Sequence, residues 1–150
     1  MLGIPIYNAL HQIQLEIKSN ALSVRSNLGG GTHEHLRFLM SNRKYATPSL
    51  VLYVRPVHPS ILQISNNATH VASYELKIVY DENIQVFYKV RGVEQALIQQ
   101  VVTAVNEQYI ISMKNRTTGQ FTGNIHQIVV YLLSTHVKSH QVIWTLSKKK

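Results

Sequence analysis

Apolar residues recur at intervals of three and four along much of this chain of 150 residues, and this spacing constrains its fold more than any other feature. Such intervals bring apolar side chains to one face of an α-helix. The first run predicts an amphipathic helix over residues 8–28, with Asn8 as its N-cap. Glycines 29–31 are expected to end it, because consecutive glycines carry a high cost in backbone entropy. The apolar face of this helix contains Leu10, Ile13, Ile17, Ala21, Val24 and Leu28.

The segments that follow are less regular. A second, short helix is predicted through residues 33–40, with Thr32 as its cap. Residues 47–73 contain three of the four prolines and several Ser and Asn residues, which predicts a proline-rich connector. Within it, residues 50–54 have the composition of an extended segment. A single strand without a partner does not make a sheet, so we expect this segment to lie against the helices.

Helical spacing is strongest in the C-terminal half. One helix is predicted over residues 73–90, with a break or kink at Gly92. A second is predicted from residue 97 to 113 and is apolar around most of its circumference, which is typical of a central helix. A last helix is predicted after Asn124 as its cap. The apolar faces of the first and last of these helices contain Leu76, Tyr80, Ile84, Phe87, and Ile125, Ile128, Val129, Leu132, Leu133 and Val137.

These patterns predict an all-α protein, a helical bundle of about five helices with a proline-rich connector at about residues 47–73. The alternative is an α+β fold in which residues 50–54 pair with another segment. In the bundle, Leu132 and Leu133 are expected to be buried. Tyrosines at helical spacing are more often core residues than base-stacking rings, and we favour the core for Tyr80 and Tyr109.

The charge balance favours phosphate-rich partners. Fifteen Lys and Arg residues stand against seven Asp and Glu residues, a net charge of +8. Two short stretches join such cations to a tyrosine, at Tyr45 and at Tyr88, which is a combination that suits single-stranded nucleic acid. Ordinary solvated surface charge is the competing interpretation, and binding by charge is expected to be non-specific and sensitive to salt. The candidate nucleic-acid-binding residues are Arg43, Lys44, Lys89, Arg91, Lys148, Lys149 and Lys150.

Candidate catalytic chemistry is sparse. Asp81 is the only aspartate and no cysteine is present, which excludes paired-aspartate sites, thiolate nucleophiles and thiolate zinc sites. A metal hypothesis centres on His33 and His35, with His58 or His70 as a third ligand, but surface or capping histidines are the better interpretation. We therefore expect no enzyme activity, no cofactor, no metal and no small-molecule substrate. The sequence has neither a transmembrane run nor a signal-peptide pattern, so a cytoplasmic protein without membrane contact is expected.

Three stretches together resemble the Gag polyprotein of Ty1/copia-type LTR retrotransposons. They are residues 27–36 (NLGGGTHEHL), residues 54–64 (VRPVHPSILQI), and the series GVEQALIQQVV at 92–102, NRTTG at 115–119 and IVVYLL at 128–133. In order and spacing they cover most of residues 8–137. The third series is the most specific, because it is similar to the family in the order of its residues as well as in its periodicity.

This resemblance implies a Gag capsid-like helical domain over residues 1–137. The apolar pattern stops after Val137, so residues 138–150 are expected to form a disordered basic tail. The resemblance further implies a non-catalytic structural protein that self-associates into virus-like particles and packages the RNA of the element. Members of the family continue after the last helix into further helices and a Cys/His zinc knuckle, so a truncated copy is expected here. The alternatives are a monomeric basic RNA/DNA-binding helical module and, far behind it, a small enzyme or metal protein that uses His33, His35 and Asp81.

Overall fold

The computed structural model describes residues 7–31 and 33–137, and this part of the chain is all-α, with four α-helices and no named strand. The helices are α1 (Tyr7–Ser23), α2 (Asn42–Ser49), α3 (His70–Ala104) and α4 (Ile125–Leu132). A π-helical turn, Leu133–Val137, extends α4. Short 3-10 turns lie at Leu28–Gly31, Leu36–Leu39, Glu107–Tyr109 and Ile111–Met113.

The predicted break at Gly92 is wrong, because α3 runs through this residue as one helix of 35 residues. A single glycine inside a helix costs only about 1 kcal/mol relative to alanine, which is too little to end a helix that is hydrogen-bonded on both sides. The end of the next predicted helix also differs. α3 stops at Ala104, and Tyr109 and Met113 lie in 3-10 turns. Two of the five predicted helices are therefore one helix in the structure.

The N-terminal segments differ from the prediction in their bounds. α1 begins at Tyr7, so Asn8 lies inside it and is not its N-cap, and it ends at Ser23 rather than at residue 28. The predicted second helix is reduced to the 3-10 turn Leu36–Leu39, and its predicted cap, Thr32, lies outside the described residues.

Helix α2 has no counterpart in the prediction. Its N-cap is Ser41, whose side chain accepts a hydrogen bond from the Lys44 amide, and Pro48 lies in its last turn. The connector is therefore shorter than predicted, since only residues 50–69 lie between α2 and α3. Residues 50–54 form no strand, and the one bridge in the described part of the chain joins Lys114 to Phe121.

The capping of α4 confirms the prediction. The Asn124 side chain accepts a hydrogen bond from the Gln127 amide at 2.9 Å, and the Gln127 side chain accepts one from the Asn124 amide at 2.9 Å. This reciprocal pair is a capping box, which satisfies two backbone donors at the start of the helix. Thr69 caps α3 in a similar way, by accepting from the Ala72 amide at 3.2 Å.

One hydrophobic core joins α1, the second half of α3 and α4. Leu132 is buried as predicted, whereas Leu133 and Tyr109 are only partly buried at the edge of this core. The buried core residues of the three helices are Leu10, Ile13, Ile17, Ala21, Val90, Leu97, Val101, Ile125, Ile128, Val129 and Leu132.

The first half of α3 lies largely outside this core, in contrast to the prediction. Leu76 is exposed, and Tyr80, Ile84 and Phe87 are only partly buried. The connector reaches this part of α3 at His58, whose ring meets the rings of Phe87 and Tyr88 edge to face. No helix in the described part of the chain is both long enough and apolar enough to span a membrane.

Candidate functional site

The predicted nucleic-acid-binding residues are distributed over two helices. Arg43 and Lys44 are exposed on α2, and Lys89 and Arg91 are exposed on α3. The Lys89 Nζ atom donates a hydrogen bond to the Arg25 carbonyl at 2.6 Å, so this ammonium also holds the turn after α1. Lys148, Lys149 and Lys150 lie outside the described residues.

The two tyrosines beside these cations have different environments. Tyr45 is buried, with its ring edge to face against His33 and Tyr53, so it offers no face for a base. The predicted combination of Arg43, Lys44 and a stacking Tyr45 is therefore wrong. Tyr88 is half exposed, and its hydroxyl lies 3.4 Å from the Nε2 atom of His58. Its ring remains partly available to a ligand.

A cleft beside the second half of α3 brings together cations that are distant in the sequence. Arg55 comes from the connector, Arg91 from α3 and Lys114 from the loop that precedes α4. The cleft has a volume of about 590 Å³ and is also lined by the ring of Phe121. Arg43, Lys44 and Lys89 do not line it. No sequence motif marks Arg55 or Lys114, because neither lies in a run of basic residues.

The charges of this cleft are unequally neutralised. Arg55 pairs with the buried carboxylate of Glu94, and Lys114 pairs with Glu107 at 2.5 Å. The hydrogen bond from Lys114, together with its charge, lowers the pKa of Glu107. Arg91 has no hydrogen bond or ion pair with any of the residues that the structure describes. The cleft therefore contains one uncommitted guanidinium and two cations that hold its walls.

A second cluster of polar groups is buried between the 3-10 turn Leu36–Leu39, α2 and the connector. His35 stacks on Phe38, and Tyr53 meets Phe38 and Tyr45 edge to face. Neither ring nitrogen of His35 makes a hydrogen bond of standard geometry to the described residues, and the same holds for the Tyr53 hydroxyl. Burial raises the pKa of Tyr53 to about 12. This cluster has the packing of an aromatic core rather than of a ligand shell.

The predicted metal ligands are not brought together. Within the residues that the structure describes, no three His, Asp or Glu side chains are arranged to hold a metal ion. His35 is buried against Phe38, His58 lies against Phe87 and Tyr88, and His70 begins α3. Asp81 is exposed on α3. The metal hypothesis on His33 and His35 therefore has no support in their geometry.

His35 is expected to make the stability of the fold depend on pH. Burial lowers its pKa, the charge of Lys89 lowers it further, and Glu34 and the Arg25 carbonyl oppose both effects. The unfolded chain therefore binds a proton at His35 more readily than the folded chain does. The stability that neutral His35 contributes above about pH 6.5 is lost as the pH falls from that value towards the lower pKa of the folded state. We expect the free energy of unfolding, measured in urea between pH 7.5 and 5, to fall less steeply for His35→Leu. The control His70→Gln, at an exposed position, is expected to retain the slope of the natural chain; equal slopes for all three chains would contradict the assignment.

No family model, no curated protein and no solved structure matches this chain. The resemblance to Gag therefore rests on the three sequence stretches alone. In the structure, residues 92–102 lie in α3, residues 115–119 in the loop before α4, and residues 128–133 in α4 and the start of its π-helical turn. The most specific of the three stretches thus includes the α3 wall of the cleft from Glu94 to Val102 and core residues of α3 and α4.

Proposed function

We propose that this chain is a non-catalytic structural protein of the Gag capsid type from a copia-type retrotransposon, which self-associates and packages RNA. The observation that carries the self-association is an exposed apolar ridge on the first half of α3. This ridge consists of Val71, Ile78, Val79 and Val86, all of them exposed. At 3.6 residues per turn, they fall within about 100° of one another on the helix.

The ridge lies on the side of α3 that is turned away from Tyr80, Ile84 and Phe87, which are partly buried. Exposed apolar side chains grouped on one helix face are typical of protein interfaces. A second copy of the chain is the partner that this face suits, because Glu75 and Lys89 of one copy can pair with Lys89 and Glu75 of the other. Glu75, Glu82 and Lys89 lie on the same face as the ridge.

The pattern of these charges favours an antiparallel pairing of two α3 helices centred on Glu82. In that register Glu75 of one copy faces Lys89 of the other, and Ile78 faces Val86. Opposite charges therefore meet at both ends of the contact, and Ile78 meets Val86 on either side of its centre. At the centre the two Glu82 side chains face each other, and their like charges oppose the pairing.

The positive net charge of the chain supports RNA packaging. The net charge is +8, and of the eleven Lys and Arg residues that the structure describes only Arg55 and Lys114 have an ion pair within that part of the chain. A monomeric RNA-binding module is the second candidate function, and the uncommitted Arg91 in the cleft favours it. The two candidates differ in whether the chain associates with itself.

Sedimentation velocity over a range of protein concentrations, with and without RNA, tests the proposal. We expect the natural chain to associate, and we expect Ile78→Glu combined with Val86→Glu to weaken association at least tenfold, because both changes place charge in the ridge. Ile111→Glu makes the same change at an exposed residue outside the ridge and is the control. A natural chain that sediments as a monomer at every concentration, with and without RNA, would favour the monomeric module.

Charge reversal tests the register. Glu75→Lys is expected to weaken association, because it places two lysines opposite each other, and Lys89→Glu in the same chain is expected to restore it. A double variant that associates no better than Glu75→Lys would contradict the antiparallel pairing while leaving the apolar ridge as the contact.

A further inference from the structure

We propose that the cleft formed by α3, Arg55 and the loop from Lys114 to Asn124 binds a nucleotide, with its phosphate at Arg91 and its base beside Phe121. This inference goes beyond the proposed function, because it assigns a discrete ligand site that does not require self-association. It rests on three features of the cleft: its charge, its amide side chains and its shape.

The charge of the cleft suits a phosphate. Three cations and one carboxylate line it. The carboxylate of Glu94 accepts hydrogen bonds from the two Nη atoms of Arg55, so its charge is compensated within the wall. Arg91 is left with five N–H donors and no partner among the described residues, and a planar guanidinium forms paired hydrogen bonds to phosphate oxygens.

The amide side chains of the cleft suit the edge of a base. Gln95 and Gln99 come from α3, and Gln120 and Asn124 come from the opposite wall. Each amide both donates and accepts hydrogen bonds, as does the edge of a nucleic-acid base. The Asn124 oxygen is already committed to the capping box, which leaves its NH2 group as a donor. Ile98, Val102 and Phe121 provide the apolar and aromatic surface on which a planar ring packs.

The shape of the cleft is set by the loop before α4. Its volume of about 590 Å³ lies within the usual range for small-molecule sites. Gly119 has a φ of +67° and open space where a side chain would project, so the loop turns here without filling the cleft. Gly123 approaches α4 so closely that a Cβ atom would lie 2.9 Å from the Gln127 Oε1 atom. The loop is thus held near α4 while the cleft stays open.

A free nucleotide and a nucleotide within an RNA strand share the chemistry of this site. Isothermal titration calorimetry with adenosine monophosphate, inorganic phosphate, adenosine and a single-stranded RNA octamer distinguishes them. We expect saturable binding of one nucleotide per chain, at least tenfold tighter than binding of phosphate or adenosine alone. Competition by the octamer at equal nucleotide concentration would assign the site to a strand, and its failure would assign it to the free nucleotide.

Arg91→Gln is the variant that tests the site, and Arg43→Gln is its matched control. Both remove one positive charge from an exposed arginine on a helix, but only Arg91 lines the cleft. We expect Arg91→Gln to weaken nucleotide or octamer binding at least tenfold and Arg43→Gln to change it less than twofold. Equal effects of the two variants, or no saturable binding of either probe, would overturn the proposal.

The same titration on the ridge variant, Ile78→Glu with Val86→Glu, separates this inference from the proposed self-association. Neither residue lines the cleft, so nucleotide binding is expected to be unchanged in that variant. A variant that no longer associates but still binds the nucleotide shows that the site belongs to the single chain.

Discussion

Replacing Leu132 by alanine is expected to lower the free energy of unfolding by about 2–5 kcal/mol, the range for removing a leucine from a packed core. Leu132 lies in α4 with 1% of its surface exposed, within the core that joins α1, α3 and α4. The loss combines the transfer energy of the missing carbons with the cavity that they leave. Chemical denaturation in urea, followed by circular dichroism at 222 nm, measures it as a shift of the midpoint.

Val130→Ala is the matched control for this prediction. Val130 lies in the same helix but has 47% of its surface exposed, so its truncation removes little packing. We expect this change to alter the free energy of unfolding by less than about 0.5 kcal/mol. Comparable losses for the two variants would mean that α4 does not present Leu132 to the core. Leu133→Ala is expected to have an intermediate effect, because Leu133 is only partly buried.

Replacing Arg55 by methionine is expected to cost about 1–3 kcal/mol of stability, the range for a buried polar group that loses its partner. Glu94 is buried in α3 with 6% of its surface exposed, and both Nη atoms of Arg55 donate hydrogen bonds to its carboxylate. The Arg55 guanidinium also lies 5.7 Å from the centre of the Phe38 ring. This residue therefore ties the connector both to α3 and to the aromatic cluster.

A second substitution at Glu94 separates the cost of the orphaned carboxylate from the loss of Arg55 itself. Glu94→Met in the Arg55→Met chain removes the orphaned carboxylate, so we expect it to recover most of the lost stability, because replacing both members of an ion pair by apolar residues is often neutral. Arg43→Met, at an exposed arginine, is expected to leave the midpoint of urea unfolding unchanged. A double variant less stable than Arg55→Met would contradict the role of Arg55 as the partner of a buried charge.

The helices that the sequence predicts best are those whose apolar face is buried along its whole length. The Asn124 cap and the apolar positions Ile125, Ile128, Val129 and Leu132 of α4 follow from local rules of capping and spacing, and the structure confirms them. The first half of α3 shows the limit of the same rules. Spacing predicts a helix there, but it does not predict that this half is left exposed by the other helices that the structure describes, because burial depends on where distant segments pack.

The candidate site was less predictable than the helices. The basic and aromatic neighbours of Arg91 in the sequence identified it as a candidate. No sequence pattern marks Arg55 or Lys114, which line the cleft because the fold brings distant segments together. Tyr45 shows the opposite error, because its position beside Arg43 and Lys44 suggested a stacking ring, and packing against His33 and Tyr53 buried it.

By itself the sequence determined the all-α class, the apolar faces of α1 and α4, and the basic charge, since each is a property of neighbouring residues or of composition. Only the tertiary structure decided that α3 continues through Gly92, that Ser41 starts a further helix, and that the ridge residues Val71, Ile78, Val79 and Val86 are exposed among the described residues. The physical reason is that local preferences are small and that packing joins segments far apart in the sequence. Local preferences amount to about 1 kcal/mol or less per residue, and packing between distant segments overrides them.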